Sequence, residues 1–136
     1  MNGSRGRHYL SPTMKEQGWK AWGPAVLWAA VLFLLSEIPG IPSGLDVPFL
    51  DKIAHFALYT VLGASLAWGK RAAPSGVPHG VLLLVGVAYG ALDEWHQAFV
   101  PRRSPDPWDF LVDVSGVTFG YVMLLLATRS MTKESG

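Results

Sequence analysis

The sequence predicts an all-α integral membrane protein, a four-helix bundle with both termini in the cytoplasm. Half of the 136 residues are hydrophobic and only 15% are charged, and the mean hydropathy is +0.27. An ordinary soluble domain has about 25% charged residues. A chain this short also has too little interior to bury so much apolar surface. Lipid is therefore the expected environment for the outer faces of the helices.

The first apolar run, residues 21–35, follows a basic and polar segment. We predict that residues 1–20 form a flexible cytoplasmic tail. Trp19 and Trp22 stand where the run begins, a position at which interfacial aromatic side chains are favoured. A basic flank before a short apolar core is also typical of a signal peptide, but SEIPGIP follows where a small-residue cleavage site should be. We expect its prolines and glycine to end a transmembrane helix instead.

Three further segments complete the bundle, and each carries polar residues at one end. They span residues 49–69, 80–99 and 108–128. Each segment reaches the length of about 20 residues that a membrane crossing needs only when its polar end is included. We therefore predict one transmembrane domain over residues 21–128, followed by a cytoplasmic tail over residues 129–136.

Residues four apart in these segments place polar side chains on common helix faces. Asp51, His55 and Tyr59 share one face of the second segment. Asp109 and Asp113 begin a face of the fourth segment that continues through Gly116 and Gly120. Two small residues at this spacing allow a neighbouring helix to approach closely. The fourth segment is thus predicted to pack tightly against another helix.

The charged residues divide between two sides if the segments cross the membrane in turn. One side holds eight of the eleven basic residues: Arg5, Arg7, Lys15, Lys20, Lys70, Arg71, Arg129 and Lys133. The other side holds Lys52, Arg102 and Arg103 together with eight of the ten acids: Glu37, Asp46, Asp51, Asp93, Glu94, Asp106, Asp109 and Asp113. Cytoplasmic loops carry an excess of lysine and arginine. The first side, with both termini, is therefore predicted to be cytoplasmic.

The polar ends predict a functional site on the outer side. Ionisable groups near hydrocarbon are costly and usually face a bundle interior or a watery cavity. We expect a polar pocket that opens outward among the second, third and fourth segments. The candidate catalytic residues are His55, Glu94, Asp109 and Asp113. The candidate ligand-binding residues are Asp51, Lys52, Tyr59, Asp93, Gln97, Arg102 and Arg103.

Three motifs carry a resemblance to a known family. They are SEIPG at residues 36–40, DKIAHFALYTVLG at 51–63 and GALDEWHQAFVPRRSPDPWDFLVDVSGVTFG at 90–120. Together they resemble the VanZ-like family of small bacterial membrane proteins. Arg103 matches the motif arginine, Arg102 stands where members often have glycine, and Asp113 stands where many have asparagine. The resemblance implies a multi-pass protein of the bacterial inner membrane, an envelope role and a link to teicoplanin-type glycopeptide resistance.

Three functions fit these residues. The polar side chains would form a hydrogen-bonded network that only fixes the helices together. Alternatively, Lys52, Arg102 and Arg103 would bind a phosphorylated lipid, such as a polyprenyl-phosphate-linked cell-wall precursor, or a glycopeptide, because a guanidinium group matches phosphate geometry. In the third case, His55 and the carboxylates would catalyse a reaction on a lipid phosphate by general acid and base chemistry.

Several partners and cofactors are predicted to be absent. The basic residues are spread along the chain, so no nucleic acid is expected. Zero cysteines exclude disulfides and thiolate sites. The carboxylates and imidazole would also suit a divalent ion. However, no single helix carries a His-x-x-x-His or Glu-x-x-His pair, so we predict neither a metal nor a cofactor.

Overall fold

A computed structural model describes residues 18–39, 49–73 and 76–134 of the chain. It consists of four helices, α1 (Gly23–Ser36), α2 (Leu50–Ala72), α3 (His79–Gln97) and α4 (Pro107–Glu134). No strand occurs in these three ranges. The all-helical prediction is therefore confirmed. Most of the N-terminal tail, the Gly40 and Pro42 helix stop, Pro74 in the turn and the last two residues lie outside the described ranges.

A proline, a capping aspartate and a stretch without helix-breaking residues set the ends of these helices. Pro24 lies in the first turn of α1, where its missing N–H is not needed. At the start of α4, Asp106 Oδ1 accepts the backbone N–H of Trp108 at 2.9 Å, which caps the helix. Residues 121–134 contain neither proline nor glycine. Accordingly α4 continues to Glu134, past its predicted end at residue 128 and into the predicted tail.

Helices α2 and α4 make the most extensive helix contact in the described part of the chain. A Cβ atom on Gly116 would lie 2.7 Å from the carbonyl oxygen of Phe56, and one on Gly120 would overlap the carbonyl oxygen of Thr60. On α2, a Cβ atom on Gly63 would likewise overlap the backbone of Val117 in α4. The predicted close approach is thus confirmed, and it requires glycine from both helices.

Consecutive helices run in opposite directions. At one end of the bundle, Trp22 of α1 packs against Gly69 near the end of α2. At the other end, the last residue of α1, Ser36, lies 3.1 Å from His96 in the last turn of α3. The start of α2 meets the start of α4 at this second end as well. We call the second end the polar end.

The outer surface of the bundle is apolar. Side chains more than half exposed include Val26, Leu27, Leu84, Leu92 and Leu126. Soluble monomers rarely expose contiguous apolar surface on this scale. Within the described ranges, two helices are long and apolar enough to cross a membrane, Gly18–Ser36 and Pro107–Met131. Both properties are compatible with a membrane protein.

Candidate functional site

Lys52 joins the first turns of α2 and α4 at the polar end. Its Nζ lies 2.5 Å from Asp109 Oδ1, 2.8 Å from Asp106 Oδ2 and 3.2 Å from Asp51 Oδ2. The ammonium group holds the pKa of Asp106, in the loop before α4, below its usual range. Lys52 therefore pairs with three acids. Asp51 is its neighbour on α2, whereas Asp106 lies in the loop before α4 and Asp109 lies in the first turn of α4.

His55 and Tyr59 continue this contact deeper into the bundle, one and two helical turns along α2. His55 Nδ1 lies 2.8 Å from Asp113 Oδ1, and the Tyr59 hydroxyl donates to Asp93 Oδ2 at 3.0 Å. Asp113 is 1% exposed. The spacing of four residues that placed His55 and Tyr59 on one face thus directs them at acids on two different helices.

Glu94 connects the last turn of α3 to the loop before α4. Its Oε2 accepts the backbone N–H of Asp106 at 2.9 Å. Its second oxygen, Oε1, is buried and has no hydrogen-bond partner among the described residues, and the same is true of Asp113 Oδ2. Each of these two acids is therefore anchored through one oxygen and unpartnered at the other.

These contacts unite most of the predicted site residues into one polar cluster. It consists of Asp51, Lys52, His55, Tyr59, Asp93, Glu94, Asp106, Asp109 and Asp113. Asp93, Glu94, Asp109 and Asp113 are buried, whereas the Asp51 side chain is 59% exposed. The cluster lies where the outward-opening pocket is predicted, and that pocket stays a prediction. The catalytic and binding roles of these residues stay predictions.

Arg102 and Arg103 stand apart from the cluster acids. Within the described residues, neither forms an ion pair with a carboxylate; Arg103 Nε instead donates to the carbonyl oxygen of Ile38 at 3.0 Å. Arg102 is exposed and has a φ of 60°, in the left-handed region that favours glycine. The structure thereby explains the glycine that the resemblance implies here. Gln97, another predicted ligand-binding residue, is buried.

Sequence reasoning missed a second polar contact, between α1 and α3. His96 Nδ1 lies 3.1 Å from the Ser36 hydroxyl, and His96 Nε2 lies 3.0 Å from Glu37 Oε1. It also missed the central place of Asp106, which contacts both Lys52 and Glu94. The only sequence signal for the first contact was the polar Ser36-Glu37 pair at the end of an apolar run.

The chemistry available at the cluster follows from its donors and acceptors. A half-buried imidazole beside two buried carboxylates with unpartnered oxygens can hold a proton or a positive ion. The described residues thus define a class of protein, a small helical bundle with an apolar exterior and a buried ionisable site at one end.

The comparisons with known proteins identify the family. The family model described as VanZ/LLP1 matches residues 9–128, and the chain belongs to this family. An uncharacterised protein of the fission yeast Schizosaccharomyces pombe is 26% identical over 96 residues, which are 71% of this chain. The chain spans 59% of that relative's length. Similar chains therefore occur outside bacteria. No solved structure matched the chain.

Proposed function

We propose that the chain is an integral protein of the bacterial cytoplasmic membrane that crosses it four times, with both termini inside. Helices α2 and α3 are about 35 Å and 28 Å long at 1.5 Å per residue, comparable to the hydrocarbon thickness of about 30 Å. Lys20, Arg71 and Arg129 lie toward the end opposite the polar end. An excess of basic residues favours the cytoplasmic side, so the polar end would face outward. The bacterial assignment comes from the resemblance to VanZ-like proteins.

At this polar end, we infer that the protein engages the phosphate group of an amphiphile. The observation that carries this inference is the backbone conformation of Arg102 together with its exposed side chain. Its backbone is held in a strained conformation that glycine would adopt without cost, and its side chain is exposed and pairs with no acid of the described residues. Strained residues of this kind concentrate at ligand-binding sites. A guanidinium group binds phosphate oxygens through two parallel hydrogen bonds.

The position of Arg102 and Arg103 favours a lipid-borne phosphate. Their loop joins two helices with exposed apolar faces, so a bound molecule could place its acyl or prenyl chain along the bundle and its phosphate at the loop. A polyprenyl-phosphate-linked cell-wall precursor has this shape. A lipophilic glycopeptide is also amphipathic, which would connect the site to teicoplanin-type resistance.

Replacing Arg102 with glycine separates ligand binding from folding. We expect Arg102→Gly to raise the free energy of unfolding by about 1 kcal/mol, because the left-handed backbone is no longer strained. The same variant should weaken binding of undecaprenyl phosphate about tenfold, the typical effect of losing a hydrogen bond between charged groups. Both quantities can be measured in detergent micelles, by unfolding monitored through tryptophan fluorescence and by titration with the lipid.

Two controls make this experiment decisive. Arg129→Ala removes an exposed arginine at the opposite end and should change neither quantity, whereas Arg103→Ala should weaken binding as Arg102→Gly does. Undecaprenol, which lacks the phosphate, should bind equally to all variants. Equal phosphate affinity in Arg102→Gly, Arg103→Ala and the unchanged chain would refute the proposal.

A second candidate function is an enzyme that acts on a lipid phosphate. The specific observation in its favour is the His55 and Asp113 pair beside the unpartnered oxygen of Glu94, because an oriented imidazole and a nearby carboxylate are suited to proton transfer. Turnover that is lost in Glu94→Gln while lipid binding persists would favour this function. Loss of folding in the same variant would favour a scaffold fixed by a buried polar network.

A further inference from the structure

We propose that His55, Glu94 and Asp113 bind a divalent transition-metal ion. Each residue offers one ligand atom, and these three atoms all lie within 4.8 Å of one another. The ligands come from α2, α3 and α4, one from each helix. Such a site would fasten three helices together at the polar end. It does not depend on the proposed phosphate ligand, because the ion is bound by side chains of the chain alone.

The unpartnered carboxylate oxygens are the main support for this site. Glu94 and Asp113 are 7% and 1% exposed, so bulk solvent does not reach their free oxygens. Each acid uses its other oxygen to hold its position, Glu94 against the Asp106 amide and Asp113 against His55. Buried polar atoms without partners are rare in native proteins, and a missing ion is one of their recognised explanations. A metal would satisfy both oxygens at once.

The charge of the cluster supports the same conclusion. It contains six carboxyl groups, and its one lysine forms ion pairs with Asp51, Asp106 and Asp109. The deeper acids Asp93, Glu94 and Asp113 form no ion pair with a lysine or arginine among the described residues, and His55 beside Asp113 is positively charged only if it is protonated. Isolated charges in a low-dielectric interior are strongly unfavourable unless paired or bound to a metal. A divalent ion would supply the positive charge that these acids lack.

The types of ligand indicate which ions fit. One imidazole nitrogen and two carboxylate oxygens suit zinc, manganese or iron better than magnesium or calcium, which prefer oxygen ligands alone. Three protein ligands also leave a coordination position open, as in catalytic zinc sites. The sequence-based prediction of no metal depended on the absence of a ligand pair within one helix, whereas here each helix contributes a single ligand.

Metal titration of the purified full chain tests the site. The chain, without an affinity tag and stripped of metal with a chelator, is titrated with Zn²⁺ and Mn²⁺ by calorimetry in detergent. We expect one ion per chain. Glu94→Gln should weaken the affinity by more than about tenfold, since even residues around a metal's ligands contribute 10- to 100-fold. Glu37→Gln is the control for the same change of side chain, because Glu37 contacts His96 outside the polar cluster; its affinity should change less than about threefold.

Zinc X-ray absorption on the loaded chain provides a readout that does not depend on these carboxylate variants. We expect a first shell of nitrogen and oxygen with imidazole scattering. His55→Gln should remove that scattering, whereas His96→Gln, which changes another half-buried histidine beside a carboxylate, should preserve it. The proposal fails if the unchanged chain binds neither ion at one per chain, or if imidazole scattering is absent. It also fails if folded Glu94→Gln and Asp113→Asn keep the metal affinity of the unchanged chain. A bound proton, rather than a metal ion, would then account for the closeness of these two acids.

Discussion

Lys52→Met is expected to lower the free energy of unfolding by about 3 kcal/mol. Removing one partner of a buried ion pair costs about 3–5 kcal/mol, because the remaining charge is left without compensation. We take the lower end of this range because the Lys52 side chain is 25% exposed. Three carboxylates would lose their shared cation, and the first turns of α2 and α4 would repel each other. Unfolding in mixed micelles, followed by tryptophan fluorescence, measures the loss.

A double substitution and a surface control test the physical reason. Lys52→Met combined with Asp109→Asn should recover part of the lost stability, because the buried acid that remains unpaired is then neutral. Lys20→Met removes an exposed lysine that lies 6.0 Å from the ring of Trp19, and should change stability by less than about 0.5 kcal/mol. If Lys52→Met and Lys20→Met unfold alike, Lys52 does not hold the polar end together.

Gly120→Ala is expected to destabilise the bundle by about 3 kcal/mol, although alanine is the better helix former. The added methyl group would overlap the carbonyl oxygen of Thr60, which belongs to backbone and cannot rotate away. Overpacking of this kind costs about 1–3 kcal/mol, and more when backbone must move. Helices α2 and α4 would separate, and the ion pairs between their first turns would lengthen with them. Thermal unfolding in detergent measures the effect.

Gly80→Ala provides the opposite expectation for the same chemical change. Gly80 lies at the start of α3, and a Cβ atom there meets nothing within 4 Å. Alanine should therefore keep its helix-forming advantage and raise stability by up to about 1 kcal/mol. A loss of stability in both variants would mean that glycine is needed for reasons other than the contact between α2 and α4.

The helices and their close contact were predictable because they follow from local patterns. Proline, glycine and charge separate four apolar runs, and this separation is visible in the sequence whatever the tertiary packing. The spacing of Gly116 and Gly120 indicated a tight helix contact before any partner was known. The end of α4 was less predictable, since residues 129–134 are polar and yet contain nothing that stops a helix.

The internal arrangement of the site depended on tertiary packing and was only partly predictable. Spacing on α2 indicated that His55 and Tyr59 share a face, but it could not show that they contact acids on different helices. Asp106 is in a loop, so no periodicity marked its contacts with Lys52 and Glu94. The strained backbone of Arg102 was indicated only by the glycine that the family resemblance implies at this position.

Labelling of single cysteines tests the central claim most directly, namely that the polar end of a membrane-inserted bundle faces the outside. The chain contains no cysteine, so Ser104→Cys in the exposed loop beside Arg103 and Ser130→Cys near the other end of α4 each introduce one thiol without a competing background. In intact bacterial cells with a permeable outer layer, an impermeant maleimide should label Ser104→Cys, while Ser130→Cys should react only after lysis. Labelling of both variants in intact cells, or of Ser130→Cys alone, would contradict the account.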